Sequence, residues 1–233
     1  MPRSELITQL TELIASQRSV PVLRVAVDGP DAAGKSTLAT ELAASLAGVR
    51  ETILASVDGF HQPRQARHRR GSLSAEGYYE DSFDYDAVLR ALLRPLSPNG
   101  SRRYRTAVFD HRVDAAMNQK FQQAPPGAVL LFDGVFLLRP RLRDHWDLSI
   151  FVDVSPDEAL RRALVRDAEL LGGVEVVRDR YRRRYLPGQQ LYRAEAAPTL
   201  RADVVIDNED PAWPRVLKWP GGAPGYLGAV NRG

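Results

Sequence analysis

One eight-residue segment combines backbone and side chains suited to binding a triphosphate. Gly29–Ser36 reads Gly-Pro-Asp-Ala-Ala-Gly-Lys-Ser and fits the pattern G-x-x-x-x-G-K-[ST]. In such a loop the backbone N–H groups and the positive end of the next helix face one phosphate. Lys35 adds a cation for the β- and γ-phosphates, and the Ser36 hydroxyl suits Mg²⁺. Because only three of the 32 basic residues are lysines, a lysine here goes against the composition of the chain. The segment predicts binding of ATP and Mg²⁺.

The elements around this loop are those that a phosphate-binding turn needs. Val22–Val27 is typical of a buried strand, and Thr37–Ala47 is rich in strong helix formers. Further strand-like runs are Thr52–Val57, Ala128–Phe132, Leu148–Val152 and Ala202–Ile206. Helical patterns at Tyr85–Leu93 and at Pro156–Leu171, the latter with Ser155 as its N-cap, lie between the strands. The alternation predicts an α/β fold of the P-loop NTPase type, with three α/β/α layers, a five-stranded, mostly parallel sheet and a helical lid.

Acidic residues stand at the ends of the predicted strands. Asp58 and Asp133 follow the second and third strands, and Asp153 and Asp207 follow the fourth and fifth. Because ligands of parallel sheets bind beyond the carboxyl ends of the strands, we expect these carboxylates to line one rim beside the phosphate loop. A structural alternative exists for the first two, since aspartate before glycine is also typical of a tight turn.

Composition limits the classes of protein that the chain can represent. Its 233 residues suit one good-sized domain, and the lack of cysteine excludes disulfides and thiolate chemistry. No apolar run approaches a membrane-spanning length, so we expect a cytoplasmic protein without a membrane partner. Arginine clusters at Arg64–Arg70 and Arg178–Arg184 lack the interleaved aromatic residues of nucleic-acid binders, so no nucleic-acid partner is expected.

The chain is predicted to form a single domain over residues 1–218. Its predicted parts are an N-terminal amphipathic helix (1–20), two substrate-side excursions (61–84 and 94–127), a lid region (156–186) and, beyond the domain, a flexible tail (219–233). The first helix has an apolar face that packs either on its own domain or on a second copy in a homo-oligomer.

The order of the motifs resembles the uridine kinase group of the phosphoribulokinase and pantothenate kinase superfamily of P-loop small-molecule kinases. Besides the phosphate loop, the resemblance rests on Asp58-Gly59-Phe60-His61, Phe83-Asp84, Asp133-Gly134-Val135 and an R-x-x-x-R pair at Arg162 and Arg166. It spans roughly residues 22–208. It implies transfer of the γ-phosphate of ATP to a small-molecule hydroxyl, with the 5′-hydroxyl of a nucleoside such as uridine or cytidine as the expected acceptor.

The resemblance gives these residues roles. Asp58 stands where the family keeps its catalytic aspartate, and Asp133 would hold Mg²⁺ with Ser36, directly or through water; aspartate is shorter than the family's usual glutamate, which favours the contact through water. Lys35, Arg162 and Arg166 would contact the transferring phosphoryl group. The expected nucleotide contacts are Gly29, Pro30, Asp31, Ala32, Ala33, Gly34, Lys35, Ser36, Thr37 and Asn208. The expected acceptor contacts are Asp58, Phe60, His61, Asp84, Phe109, Asp110 and His111.

Alternatives remain open at several positions. Asp84 is also a good cap for the helix that begins near Tyr85, and Arg162 and Arg166 also fit an exposed helix face. The base-recognition segment of the family is shifted in this sequence, so pantothenate or a sugar phosphate is a second acceptor class, with Arg64–Arg70 as its cationic pocket. A regulatory nucleotide-binding NTPase without an acceptor is the alternative from another class.

Overall fold

A parallel sheet forms the centre of the computed structural model, which describes residues 1–17 and 21–222. The strands of this part of the chain are β1 (Val22–Asp28), β2 (Thr52–Ser56), β3 (Arg103–Tyr104), β4 (Phe109–Asp110), β5 (Ala115–Ala116), β6 (Gln122–Gln123), β7 (Ala128–Gly134), β8 (Leu148–Asp153), β9 (Val204–Asp207) and β10 (Arg215–Lys218). Six of them form one sheet in the order β10-β9-β8-β1-β7-β2. Within this sheet only the pair of β9 and β10 is antiparallel.

Helices alternate with the strands along the chain. They are α1 (Arg3–Ser16), α2 (Lys35–Leu46), α3 (Arg64–Arg67), α4 (Ala75–Asp81), α5 (Tyr85–Val88), α6 (Pro156–Leu171), α7 (Val174–Arg180), α8 (Leu186–Ala196) and α9 (Pro198–Arg201). Short 3₁₀ turns span Val57–Phe60 and Arg143–His145, and π-helical segments span Leu89–Leu93 and Tyr181–Tyr185. α6 has the predicted bounds, and the Ser155 side chain accepts from the backbone N–H of Glu158, as an N-cap does.

Apolar side chains cover the sheet on both faces. On one face Leu10 of α1, Leu42 of α2 and Ala163 of α6 are fully buried against the strands. On the other face Tyr192 of α8 and Val88 of α5 are fully buried. This arrangement confirms the three-layer α/β fold that the alternation of strands and helices predicted.

The pairing of strands brings the phosphate loop and two carboxylates to the same edge of the sheet. β1, which leads into the loop, lies between β7 and β8, and all seven of its residues are buried. β7 also pairs with β2, so Ser56 lies opposite Asp133. Asp58 follows Ser56 by only two residues. The topology therefore places Asp58 and Asp133 beside the loop that follows β1.

The sheet has six strands, and the prediction of five missed β10. Three of the four residues of Arg215–Lys218 are exposed, so the strand carries no apolar run that a sequence pattern could reveal. It is held by its ladder to β9 at the edge of the sheet, where burial is not required.

The two segments predicted as excursions differ in kind. Within 61–84, Tyr78 and Tyr79 of α4 are buried and meet Phe136 edge to face, so this part belongs to the core. Within 94–127 the chain forms the two short antiparallel pairs β3–β6 and β4–β5. The predicted tail falls largely outside the described residues, which end at Gly222.

The first helix packs on its own domain. Leu6, Leu10 and Ile14 recur at helical spacing and are fully buried in the core cluster that includes α2. Arg3 adds an ion pair to Glu41 of α2, with 2.7 Å between Nη2 and Oε2. Among the described helices, none has the length and apolar character needed to cross a bilayer.

Replacing Leu10 with alanine tests this packing. Loss of a fully buried leucine side chain is expected to lower the free energy of unfolding by about 2–5 kcal/mol. Glu12→Ala, an exposed position on the same helix, is the matched control and should change it by less than about 0.5 kcal/mol. Urea unfolding at two protein concentrations measures both. Equal stability of the two variants, or a midpoint that rises with concentration, would contradict packing of α1 within one chain.

Candidate active site

The phosphate loop depends on glycine at both of its ends. Gly29 has φ of 152°, and a Cβ atom there would lie 2.2 Å from the backbone oxygen of Val152 in β8. Gly34 has φ of 92° and immediately precedes α2, so it turns the chain into the helix. Lys35 then begins α2, and its Nζ donates to the carbonyl oxygen of Pro30 at 2.6 Å. The loop is therefore closed on itself around the lysine side chain, with the N-terminus of a 12-residue helix at its end.

Lys35 is the cation at the centre of the site. Its side chain is buried, and burial lowers the pKa of the ammonium. The charges of Asp31, Asp28, Asp133 and Asp58 act in the opposite direction, in that order of size. Four carboxylates therefore lie within electrostatic reach of one ammonium.

Ser36 and Asp133 meet directly. The Ser36 hydroxyl donates to Asp133 at 2.6 Å, although the two residues are 97 positions apart in the chain. Burial raises the pKa of Asp133, and the nearby charge of Asp58 raises it further, while the Ser36 hydrogen bond and Lys35 lower it. A hydroxyl and a carboxylate oxygen fit the preference of Mg²⁺ for hard oxygen ligands. Across residues 1–17 and 21–222 no group of three His, Asp or Glu side chains is placed to hold a metal, so the other ligands would be phosphate and water.

Asp58 lies at the edge of the sheet, where its Oδ1 is 4.0 Å from His61 Nδ1. It lies in the 3₁₀ turn after β2, its backbone N–H donates to Ser56 Oγ at 3.3 Å, and its side chain is 64% exposed. His61 Nδ1 lies 3.0 Å from the Asp58 carbonyl oxygen. The His61 ring stacks on His111, with 4.4 Å between the ring centroids. Burial lowers the pKa of His61, so this imidazole is neutral at physiological pH.

Two of the cavities beside the phosphate loop adjoin each other. The large cavity has a volume of about 800 Å³, and its lining includes Asp31, Asp58, His61, His111, Arg166 and Arg184. The small cavity has a volume of about 350 Å³, and its lining includes Ala32, Gly34, Thr37, Arg162, Arg166 and Asn208. Arg166 is common to both cavities, so it lies where a ligand in one would meet a ligand in the other.

The two arginines predicted to act together have different surroundings. Arg162 pairs with Glu158 and donates to the carbonyl oxygens of Ala32 and Asn208 at 3.4 and 2.7 Å. It therefore ties the phosphate loop to the segment after β9. Among the described residues Arg166 pairs only with Asp167, a contact that raises the pKa of its guanidinium and keeps it charged.

Several predicted acceptor contacts do not face the large cavity. Phe60 is fully buried beside Phe132, so the prediction that it contacts the acceptor is corrected to a core position beneath the turn. Phe109 is 8% exposed in β4, and Asp110 is engaged by Arg112 through two hydrogen bonds to its side chain. Only His61, His111 and Asp58 of the predicted set line the cavity.

Asp84 has the capping role that was the alternative reading of this residue. Its carboxylate accepts from the backbone N–H of Ala87 at 2.8 Å, at the start of α5. Because a carboxylate accepts more than one hydrogen bond, its contact with an acceptor stays a prediction.

Two of the four strand-end aspartates that were predicted to line one rim are paired with arginines. Asp153 pairs with Arg193, and Asp207 pairs with Arg215, and neither carboxylate lines the large cavity. Asn208 is also a supporting residue in this structure: its side chain is buried and donates to the carbonyl oxygen of Ala33 at 2.8 Å. It fixes the loop from behind and lines the small cavity with its remaining surface.

Two supporting contacts of the loop were missed at the sequence level. Asp28, the last residue of β1, is fully buried and accepts from the Tyr192 hydroxyl and from the Gly29 N–H. Burial raises the pKa of Asp28 to about 6. Tyr78 of α4 donates to Asp31 at 2.6 Å. Both tyrosines lie more than 40 positions from their partners, so sequence spacing held no signal for either contact.

Comparisons with known proteins agree with this geometry. The sequence model of the Phosphoribulokinase / Uridine kinase family matches residues 24–207. A uridine kinase from Ligilactobacillus salivarius is 23% identical over 196 residues, which is 83% of this chain and 88% of that protein. A pantothenate kinase from Streptomyces avermitilis is 30% identical over 185 residues, which is 73% of this chain but 55% of that protein.

A solved structure has the same fold. The structure of a possible uridine kinase from Bacillus stearothermophilus matches with a TM-score of 0.67 and covers 87% of this chain and 97% of its own. Its sequence identity of 22% limits the likeness to the fold.

The buried carboxyl of Asp28 allows a test of the electrostatics of the site. Its folded pKa of about 6 lies above its ordinary value of 3.8, so the folded state binds more protons than the unfolded state between these pH values. Its contribution to stability is therefore present below pH 4 and is lost as the pH rises through 6. Asparagine cannot titrate. From pH 4 to pH 7, the free energy of unfolding of the unsubstituted protein should fall relative to Asp28→Asn by about 1–3 kcal/mol.

Urea unfolding at the two pH values measures this difference. Asp144→Asn removes an exposed carboxylate and is the control, for which the corresponding change should stay under about 0.5 kcal/mol. The free energy of unfolding of the unsubstituted protein, minus that of Asp28→Asn, should not stay constant or rise between the two pH values. Either result would contradict a raised pKa for Asp28.

Proposed function

The chain belongs to the phosphoribulokinase and uridine kinase family and is a P-loop small-molecule kinase, and on this premise we propose that it transfers the γ-phosphate of ATP to a hydroxyl group in the large cavity. The observation that carries the proposal is the arrangement around the phosphate loop. The small cavity and the large cavity meet at Arg166, and the exposed carboxylate of Asp58 lies in the large one.

The donor would be ATP, bound by the loop Gly29–Ser36. The N-terminus of α2 and the Lys35 ammonium would face the β- and γ-phosphates. The base and ribose would extend along the small cavity, past Thr37 and the segment that Asn208 and Arg162 hold. This direction leaves the γ-phosphate at the boundary with the large cavity.

Ser36 and Asp133 are the residues that would hold Mg²⁺. When bound, the ion supplies positive charge to the β- and γ-phosphate oxygens. The fit rests on oxygen ligands and on charge: four carboxylates face a single ammonium, and burial raises the pKa of Asp133. In this structure the Ser36 hydroxyl donates to one Asp133 oxygen. This hydrogen bond would break when the two groups bind Mg²⁺.

Asp58 would act as the base toward the acceptor. Its carboxylate takes the proton of the acceptor hydroxyl, the oxygen forms a bond to the γ-phosphorus, and the bond to the β–γ bridging oxygen breaks to release ADP. Arg166 would stabilise the charge on the transferring phosphoryl group from the lid. The neutral His61 positions Asp58 through its contact with the Asp58 carbonyl oxygen.

The proposal also concerns which molecule accepts the phosphate. The names of the relatives favour the 5′-hydroxyl of a nucleoside such as uridine, and one relative is named a pantothenate kinase. A nucleoside would use His61 and His111, whose stacked rings form one wall of the large cavity. A cytoplasmic location and the oligomeric state stay predictions.

Lys35→Ala tests the donor site. Loss of the charged hydrogen bonds to the phosphates should weaken binding of a non-hydrolysable ATP analogue by about 10- to 100-fold, measured by calorimetry. Lys120→Ala removes an exposed lysine and should bind the analogue as the unsubstituted protein does. Unchanged affinity in the Lys35 variant would rule out the assigned role of the loop.

Asp58→Asn tests the chemistry. Turnover, followed as ADP release in the presence of an acceptor, should fall by about 10²- to 10⁴-fold while affinity for the ATP analogue stays nearly unchanged. Asp207→Asn, a strand-end aspartate outside both cavities, is the control and should keep full turnover. Near-normal turnover of the Asp58 variant would remove this residue from its role.

The same assay addresses the alternative of a regulatory NTPase. ADP release is measured with uridine, cytidine, pantothenate and sugar phosphates. If no alcohol raises the rate above slow hydrolysis of ATP, the kinase proposal fails for these acceptors and the regulatory reading gains support.

A further inference from the structure

One buried arginine in the wall of the large cavity has no carboxylate partner in the described part of the chain. Arg184 is 7% exposed, its Nη1 donates to the carbonyl oxygen of Ser72 at 2.9 Å, and its guanidinium lies 5.4 Å from the centre of the Tyr78 ring. It belongs to the π-helical segment Tyr181–Tyr185, a distortion that is frequent at functional sites. Burying a guanidinium without a counter-charge is costly, so its retention in a cavity wall needs an explanation.

The carboxylates that line the same cavity do not supply this counter-charge. Three pair with other arginines: Asp167 with Arg166, Glu175 with Arg178 and Asp179 with Arg183; Asp31 accepts from the Tyr78 hydroxyl and makes no ion pair with Arg184. Asp58 is the fifth, and it is the proposed base. None of the five carboxylates of the cavity therefore pairs with Arg184.

Other basic groups reinforce this wall. Arg180 lines the cavity and makes no ion pair among the described residues, and Arg67 lines it while pairing with Asp114, with 3.2 Å between Nη2 and Oδ1. Burial and the charges of Arg184, Arg67, Arg64 and Arg180 all lower the pKa of His68, in agreement with a positive potential at this place. Arg69 and Arg70 both pair with Asp81, and neither of them lines the cavity.

We propose that the acceptor carries an anionic group, a phosphate or a carboxylate, that binds to Arg184 and Arg180 while its hydroxyl group faces Asp58. This inference rests on the proposed kinase function and selects its acceptor class. A guanidinium offers parallel N–H donors that match both kinds of oxyanion. The large cavity contains the arginine wall and Asp58 together, so one small molecule bridges the two.

An uncharged nucleoside fits this wall poorly. It would leave Arg184 and Arg180 without a counter-charge and would displace water from them. Of the segment expected to recognise a base, only His111 lines the cavity, since Phe109 is buried and Asp110 is held by Arg112. The charge on the wall therefore separates the acceptor classes that the resemblance left open.

Matched acceptor pairs test the proposal. Coupled ADP release gives kcat/KM for pantothenate against pantothenol, glycerate against glycerol, ribose 5-phosphate against ribose, and for uridine. At least one anionic compound should exceed its neutral partner by 10-fold or more, and the pair that responds tells a carboxylate from a phosphate. Equal or better use of the neutral partner in every pair that reacts, or use of uridine alone, would overturn the proposal.

Substitutions of Arg184 and Arg180 test whether these arginines cause the preference for an anionic acceptor. Arg184→Gln should lower kcat/KM for the anionic acceptor by about 10- to 100-fold and leave that for its neutral partner within about two-fold. Arg180→Gln, at a partly exposed position, gives the same test if the buried substitution impairs folding. Arg182→Gln removes an exposed charge from the same π-helical segment and should change neither value. A preference that survives both Arg184→Gln and Arg180→Gln would contradict the inference.

A binding measurement keeps this test separate from that of the kinase function. If no acceptor reacts, the proposed function fails, and the subsite is then decided by calorimetry with inorganic phosphate and with acetate. The phosphate loop is filled beforehand with Mg²⁺ and a non-hydrolysable ATP analogue. At least one anion should bind to the unsubstituted protein and to Arg182→Gln, and should be lost in Arg184→Gln and Arg180→Gln. No binding of either anion would overturn the proposal by itself.

Discussion

The phosphate loop depends on the burial of a single cation. Lys35 is held inside the loop by the Pro30 carbonyl oxygen, and four aspartates act on its charge. Charge interactions are strong in so poorly solvated a place, and one ammonium does not balance four carboxylates there. Burial accordingly raises the pKa of Asp28 and of Asp133. A site with this imbalance is suited to a polyphosphate that arrives together with a divalent cation, which is the basis of the proposed donor.

Much of the chain serves to hold this loop in one shape. Tyr192 of α8 closes on Asp28, Tyr78 of α4 closes on Asp31, and Asn208 and Arg162 bind the loop's carbonyl oxygens from the other side. These contacts join both helical layers to the end of β1. In the proposed kinase they would fix the γ-phosphate relative to Asp58, since positioning supplies most of the catalysis in phosphoryl transfer.

The predictions succeeded where one short stretch of sequence carries the physical cause. The phosphate loop, the five apolar strands and the capped helix α6 are local patterns, and all are present in the structure. Predictions failed where the cause was not local. β10 has no buried run and exists because β9 offers an edge, and Phe60 follows Asp58 closely but points into the core. Arg162 and Arg166 lie four residues apart on one helix, yet Arg162 donates to backbone carbonyl groups of two distant loops.

The sequence by itself determined that the chain is an α/β P-loop protein, because glycine, lysine and serine at that spacing between a strand and a helix have few other uses. It also placed Asp58 and Asp133 at strand ends. Only the tertiary structure decided which charges stay uncompensated. Of the nine arginines in the two clusters, five make ion pairs, whereas Arg184 is buried and has no carboxylate partner among the described residues. Pairing depends on distances between residues far apart in the chain, which composition and spacing do not contain.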